Sequence, residues 1–191
     1  MNNKSLIELC LENNYDTDKY DLGYINEIYD NTFSKYRSNT TNLLEIGVQR
    51  GGSILLWKDY FDEKCNIFTL DINPCSAISE LEGVTQLIGD AYKAQSLSLF
   101  EENQFDIIID DGPHTLESFE YVISKYFSKL KPRGVMVVED IIDISWTPKL
   151  VEIAESTGYS SVNVINMGGK QKSTNHLSLW SKGLDVLILT K

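Results

Sequence analysis

The sequence has 191 residues, 42% hydrophobic and 24% charged, with 28 acidic against 17 basic side chains and a net charge of −11. That composition excludes a disordered chain and suffices for one domain with a full core. The acidic balance argues against nucleic acid or an anionic membrane as partner, because both need a basic face.

The chain opens on a polar stretch without a signal-peptide core. No apolar run reaches the ~20 residues that cross a bilayer. Cys10, Cys65 and Cys75 form no pairing pattern and fit a reducing compartment. The expected location is cytoplasmic. A short helix is predicted over residues 4–13 and a second over 24–36, where Tyr24, Ile28, Phe33 and Tyr36 are spaced as a packed face. Between them lies a turn-rich stretch holding Thr17, Asp18 and Lys19.

From residue 42 the pattern changes to short apolar runs alternating with helical ones. Strands are expected at 42–48, 66–71, 84–89, 105–110 and 134–139, with helices at 51–62, 75–81, 94–102 and 115–130 between them. A helix at 147–158 and strands at 160–165 and 184–190 complete the chain. The polar segment 166–183, which contains His176, reads as a long connection or flap. Five βα units and two further strands describe a seven-stranded, doubly wound α/β sheet, mostly parallel, with helices on both faces and an antiparallel last strand added at the edge. One domain over residues 1–191 is expected.

The strand ends carry the chemistry. In open α/β sheets ligands bind in the crevice outside the carboxyl ends of the strands. The first strand holds Glu45, an acid inside an apolar run that needs a partner, and leads into Gly47 and the glycine-rich turn at Gly51. That turn fits close approach of a ligand, although neither GxGxxG nor a phosphate loop is present. Asp71 ends the second strand, where an acid accepts ribose hydroxyls. Asp90 ends the third, placed for an adenine amine or a helix cap. Asp110 and Asp111 end the fourth and Glu139 and Asp140 the fifth. Asp111, Glu139 and Asp140 are oxygen ligands suited to Mg²⁺, Mn²⁺ or Ca²⁺. A lone histidine without paired cysteines argues against structural zinc. His114, three residues after Asp111 on a Gly-Pro turn, is the candidate general base. Trp146 is a candidate substrate-pocket wall, with ordinary packing equally open.

Four motifs then stand together: Thr17-Asp18-Lys19, LEIGVQRGGS from Leu44, DDGPH from Asp110, and VED ending at Asp140. Over residues 15–145 the chain resembles class I S-adenosylmethionine-dependent methyltransferases, and more narrowly the metal-dependent sugar O-methyltransferases of macrolide biosynthesis (the mycinamicin and demethylmacrocin O-methyltransferase family). The resemblance implies a Rossmann-like core over 41–191, with residues 1–40 as helices covering the cofactor site. It implies S-adenosylmethionine held by Glu45, Gly47, Gly51, Ser53, Asp71, Ile72, Asp90, Ala91 and Asp110, with Thr17, Asp18 and Lys19 at the methionine end. It implies Mg²⁺ (or Mn²⁺) on Asp111, Glu139 and Asp140, and His114 with Asp111 as catalytic groups.

The acceptor expected from it is a small hydroxylated molecule, a sugar or glycoconjugate, and a homo-oligomer is compatible with it. The sequence departs from the family pattern at Leu22-Gly23-Tyr24, where a histidine is common shortly before the tyrosine, and at Ala91, where a polar residue is. Its N-terminal part is shorter than in some relatives, which suggests a more open site. A catechol-type O-methyltransferase, a non-catalytic nucleoside-binding module and, less well supported, a nicotinamide oxidoreductase are the other readings.

Overall fold

The apolar runs become the interior strands of one sheet. A computed structural model describes residues 4–37, 41–170 and 184–191. Among them the strands are β1 (Thr41–Ile46), β2 (Cys65–Asp71), β3 (Val84–Ile88), β4 (Phe105–Asp110), β5 (Leu130–Ile141), β6 (Ser161–Asn166) and β7 (Asp185–Thr190). They join in the order β3-β2-β1-β4-β5-β7-β6. β1 to β5 are parallel, and β7 runs antiparallel to both β5 and β6. The antiparallel strand is therefore the last in the chain, as expected, but it is not the edge strand. β7 slots between β5 and β6. Its continuous apolar run, Val186 to Leu189, suits an interior position, whereas the half-exposed, polar-interleaved β6 suits an edge.

The helices are α1 (Leu6–Glu12), α2 (Asp30–Phe33), α3 (Gly52–Phe61), α4 (Ala94–Leu97), α5 (Leu116–Lys125) and α6 (Thr147–Thr157). Two expected helices are much shorter than predicted. Residues 75–81 form only a 3-10 turn, Ser76–Ile78, and 94–102 shrinks to α4. In both places serine hydroxyls bond back to nearby carbonyls, Ser79 to Ser76 at 3.0 Å and Ser98 to Gln95 at 2.6 Å. That competition weakens helix propagation. Of the expected 166–183 connection, residues 171–183, with His176, lie outside the described residues. No described helix is long and apolar enough to cross a membrane.

Strand alternation sorts the core into two layers. Leu43, Ile107, Ile109, Val135 and Val137 face α3 and the N-terminal segment. Leu44, Ile46, Ile108, Met136 and Val138 face α5 and α6. On the first face Tyr29, Phe33 and Trp57 pack ring to ring at 4.8–5.2 Å, which seats the N-terminal segment on α3.

Strand order reverses between β1 and β4, and such a switch point opens a crevice at the carboxyl edge. Two glycines set its geometry. Gly47 has φ +83°, and a Cβ there would lie 2.0 Å from the Asp111 carbonyl oxygen. A Cβ on Gly52 would lie 2.1 Å from the Asp16 carbonyl oxygen. Gly47→Ala should lower stability by roughly 2–5 kcal/mol, from the left-handed φ and the backbone clash together. Chemical denaturation tests this, and a loss below ~1 kcal/mol would contradict the close approach.

Candidate active site

A cavity of about 950 Å³ opens at the β1/β4 switch point. Thr17, Asp18, Gly47, Ser53, Asp71, Ile72, Asp90, Ala91, Asp111, His114 and Asp140 line it. Lys19, Glu45, Gly51, Asp110 and Glu139 do not. Each of those five lies behind the wall, with its own partners.

The side toward β2 and β3 is built from backbone turns. Asp71 accepts the Val48 N–H and the Asn73 N–H, both at 2.8 Å, so its carboxylate ties the glycine-rich turn to β2. Ile72 beside it stands 68% exposed, an apolar surface offered to the cavity. Asp90 accepts the Tyr92 N–H at 2.9 Å and lies 3.8 Å from Lys93 Nζ. Tyr92 and Tyr121 also line the cavity. Sequence reasoning missed both, because aromatic residues in helical or turn context read as core.

The opposite end holds the acids. Asp111, His114 and Asp140 each bring a potential ligand atom within 4.8 Å of the others. His114 Nε2 lies 3.7 Å from Asp111 Oδ1 and 3.6 Å from Asp140 Oδ2. Backbone conformation aims two of the three. His114 has φ +54° and Asp140 φ +58°. The β5–β7 register shifts between Val138 and Ile141, so β5 carries one extra residue there. Such a bulge re-aims side chains next to sites, and left-handed non-glycine residues carry strain that a site can use. Asp111 and Asp140 each bring a carboxylate oxygen of the kind that suits a divalent cation, with the His114 imidazole beside them.

Glu139, expected as a third carboxylate ligand, does not join this trio. Both its oxygens lie 2.8 Å from Lys19 Nζ, and Oε1 also accepts the Tyr29 hydroxyl. Lys19, expected at the methionine end of a ligand, is fully buried instead, also 2.6 Å from Asp111 Oδ2 and 3.9 Å from Glu45. Burial opposes its charge, but Asp111, Glu139 and Glu45 outweigh that and hold the ammonium well above the ordinary lysine value. Glu45 accepts Ser53 Oγ at 2.6 Å and Trp57 Nε1, so it orders the start of α3 rather than facing the cavity. Burial leads the rise in Asp140, to about 6, with the Asp111 charge adding to it. A cation would relieve that repulsion.

Asp110 is fully buried and does not line the cavity. Its Oδ1 accepts the Tyr92 hydroxyl at 2.6 Å, while Oδ2 is buried without a partner among the described residues. Gly51, with φ +83°, packs against Ile78 and Cys75. Trp146 is half-buried, 6.5 Å from Phe119 centroid to centroid, outside the cavity wall.

A family model described as a methyltransferase domain matches residues 44–141. The chain belongs to that family. It is 32% identical over 146 residues to the mycinamicin VI 2''-O-methyltransferase of Micromonospora griseorubida and to the demethylmacrocin O-methyltransferase of Streptomyces fradiae. Each match covers 71% of this chain but only 36% of the relative, so the chain spans about a third of the length of these relatives. Among solved structures it is similar to the MycE methyltransferase from the mycinamycin biosynthetic pathway, in complex with Mg and SAH. Identity there is 30% and the TM-score 0.65, over 78% of this chain and 42% of that one.

Burial raises Asp110 from 3.8 to about 7, against the pull of the Tyr92 hydrogen bond. The folded chain therefore keeps a proton that the unfolded chain releases. Asp110 should cost stability progressively as pH rises from about 4 to about 7, and no more above that. Measured by urea unfolding, Asp110→Asn should gain on the wild type across that window and run parallel above it. A constant difference would contradict the shift.

Proposed function

We propose that the chain is an S-adenosylmethionine-dependent O-methyltransferase that requires Mg²⁺ or Mn²⁺ and methylates a hydroxyl of a sugar or glycoconjugate. One observation carries this reading. A crevice walled by Asp71, Ile72 and Asp90, fitting a nucleoside, opens at its other end onto Asp111, His114 and Asp140. The named activities of the relatives and the Mg and SAH in the similar structure point the same way.

In this reading Asp71 and Ile72 take the ribose side of the nucleoside, Asp90 and Ala91 the adenine side, and Thr17 and Asp18 the methionine end. Gly47 keeps the floor between the two halves free of a side chain. Asp111 and Asp140 hold the cation, and Glu139 stays with Lys19. S-adenosylmethionine would supply the methyl group when bound, and a cation held by Asp111 and Asp140 would polarise the acceptor hydroxyl. His114 takes the hydroxyl proton at Nε2, the nitrogen that already faces both acids. The crevice aligns the acceptor oxygen with the methyl donor, which makes the transfer effectively unimolecular.

His114→Ala should lower methyl transfer to sugar-bearing acceptors on the order of 10²–10⁴-fold while leaving S-adenosylhomocysteine and Mn²⁺ binding in place. Chelation should stop turnover in the wild type. Unchanged turnover in the variant would remove the base from this account. Loss of Mn²⁺ binding would instead make His114 a ligand, a role its distances to the two acids also permit.

A further inference from the structure

Each carboxylate of the candidate cation site divides its two oxygens in the same way. Asp111 gives Oδ2 to Lys19 at 2.6 Å and turns Oδ1 to His114 Nε2 at 3.7 Å. Asp140 gives Oδ1 to the Tyr24 hydroxyl and turns Oδ2 to the same nitrogen at 3.6 Å. Both donors come from one short stretch of the N-terminal segment. We propose that Lys19 and Tyr24 are positioning residues that set which oxygen of Asp111 and of Asp140 faces the cation.

The inference rests on the metal reading above and deepens it. A free carboxylate rotates about its last torsion, which is broad and two-fold. A donor on one oxygen removes that freedom and aims the other. Lys19 is held in place from the other side, because Glu139 sits 2.8 Å away through both oxygens and would otherwise be a buried charge with only the Tyr29 hydroxyl as partner. Tyr24 opens the π-helical turn Ile25–Tyr29, and Tyr29 closes it. The widened turn brings two tyrosines five residues apart to adjacent acids, Asp140 and Glu139. At 3.6 residues per turn they would diverge. Gly23, at φ +86°, makes the bend between Lys19 and Tyr24. Partners that orient ligands in this way are worth 10–100-fold in metal affinity elsewhere.

The test is a Mn²⁺ titration of the full chain, followed by electron paramagnetic resonance, on wild type, Tyr24→Phe and Tyr29→Phe. Both variants lose one buried hydroxyl, but only Tyr24 touches the trio. Tyr24→Phe should weaken Mn²⁺ binding by about 10–100-fold with S-adenosylhomocysteine affinity unchanged. Tyr29→Phe should lose thermal stability without that loss of Mn²⁺ affinity. Equal Mn²⁺ affinity in a folded Tyr24→Phe and the wild type would overturn the positioning role and leave the metal reading standing. A wild type that binds no Mn²⁺ would overturn both. If Tyr24→Phe does not fold, Lys19→Met reads the same effect through Asp111: loss of the ammonium charge alone would tighten Mn²⁺ binding, so weaker binding supports the positioning role and equal or tighter binding refutes it.

Discussion

The buried ammonium of Lys19 is the constraint on which this architecture turns. It sits among Asp111, Glu139 and Glu45, which come from three different strands or their ends. Among the described residues, the carboxylates of Glu45, Asp111, Glu139 and Asp140 meet at this edge with the Lys19 ammonium among them. Removing a partner from such a buried set strands the remaining charges and typically costs ~3–5 kcal/mol. The N-terminal segment is therefore as much a part of the site as the strands. It is anchored from below by the Tyr29, Phe33 and Trp57 rings and from above by the acids.

That arrangement divides labour among acids that look alike in the sequence. Glu45 organises the start of α3, Glu139 serves Lys19, and Asp110 binds Tyr92. Asp111 and Asp140 keep an oxygen free to face His114. A bound cation would offset the excess negative charge that remains there. The strained backbone at His114 and Asp140 shows that the fold sustains an unfavourable local conformation to bring these groups together.

The doubly wound sheet was legible because buried parallel strands read as continuous apolar runs, as in Leu43–Ile46 and Ile107–Ile109. The crevice was legible because Asp71, Asp90 and Asp111 stand at strand ends, where topology alone puts them on one edge. The fate of paired acids was not. Consecutive residues such as Asp110 and Asp111 leave the chain in different directions, and which one faces a cavity depends on neighbours far away in sequence. The bulge at Glu139–Asp140 depends on pairing with β7, some 45 residues on, and carries no local signal. Tyr24 read as core because α-helical spacing hides the effect of a π turn, and Tyr29 fell outside the face that spacing picked out. Only the family resemblance put Lys19 at the methionine end; the carboxylates that bury it lie 92 and 120 residues away and give no local signal.

The central claim is that one crevice holds a methyl donor's nucleoside beside a cation. Isothermal titration of the chain with S-adenosylhomocysteine, with and without Mg²⁺, tests it most directly. The account predicts micromolar binding in Mg²⁺. No binding under either condition would contradict it and return the crevice to a purely structural role.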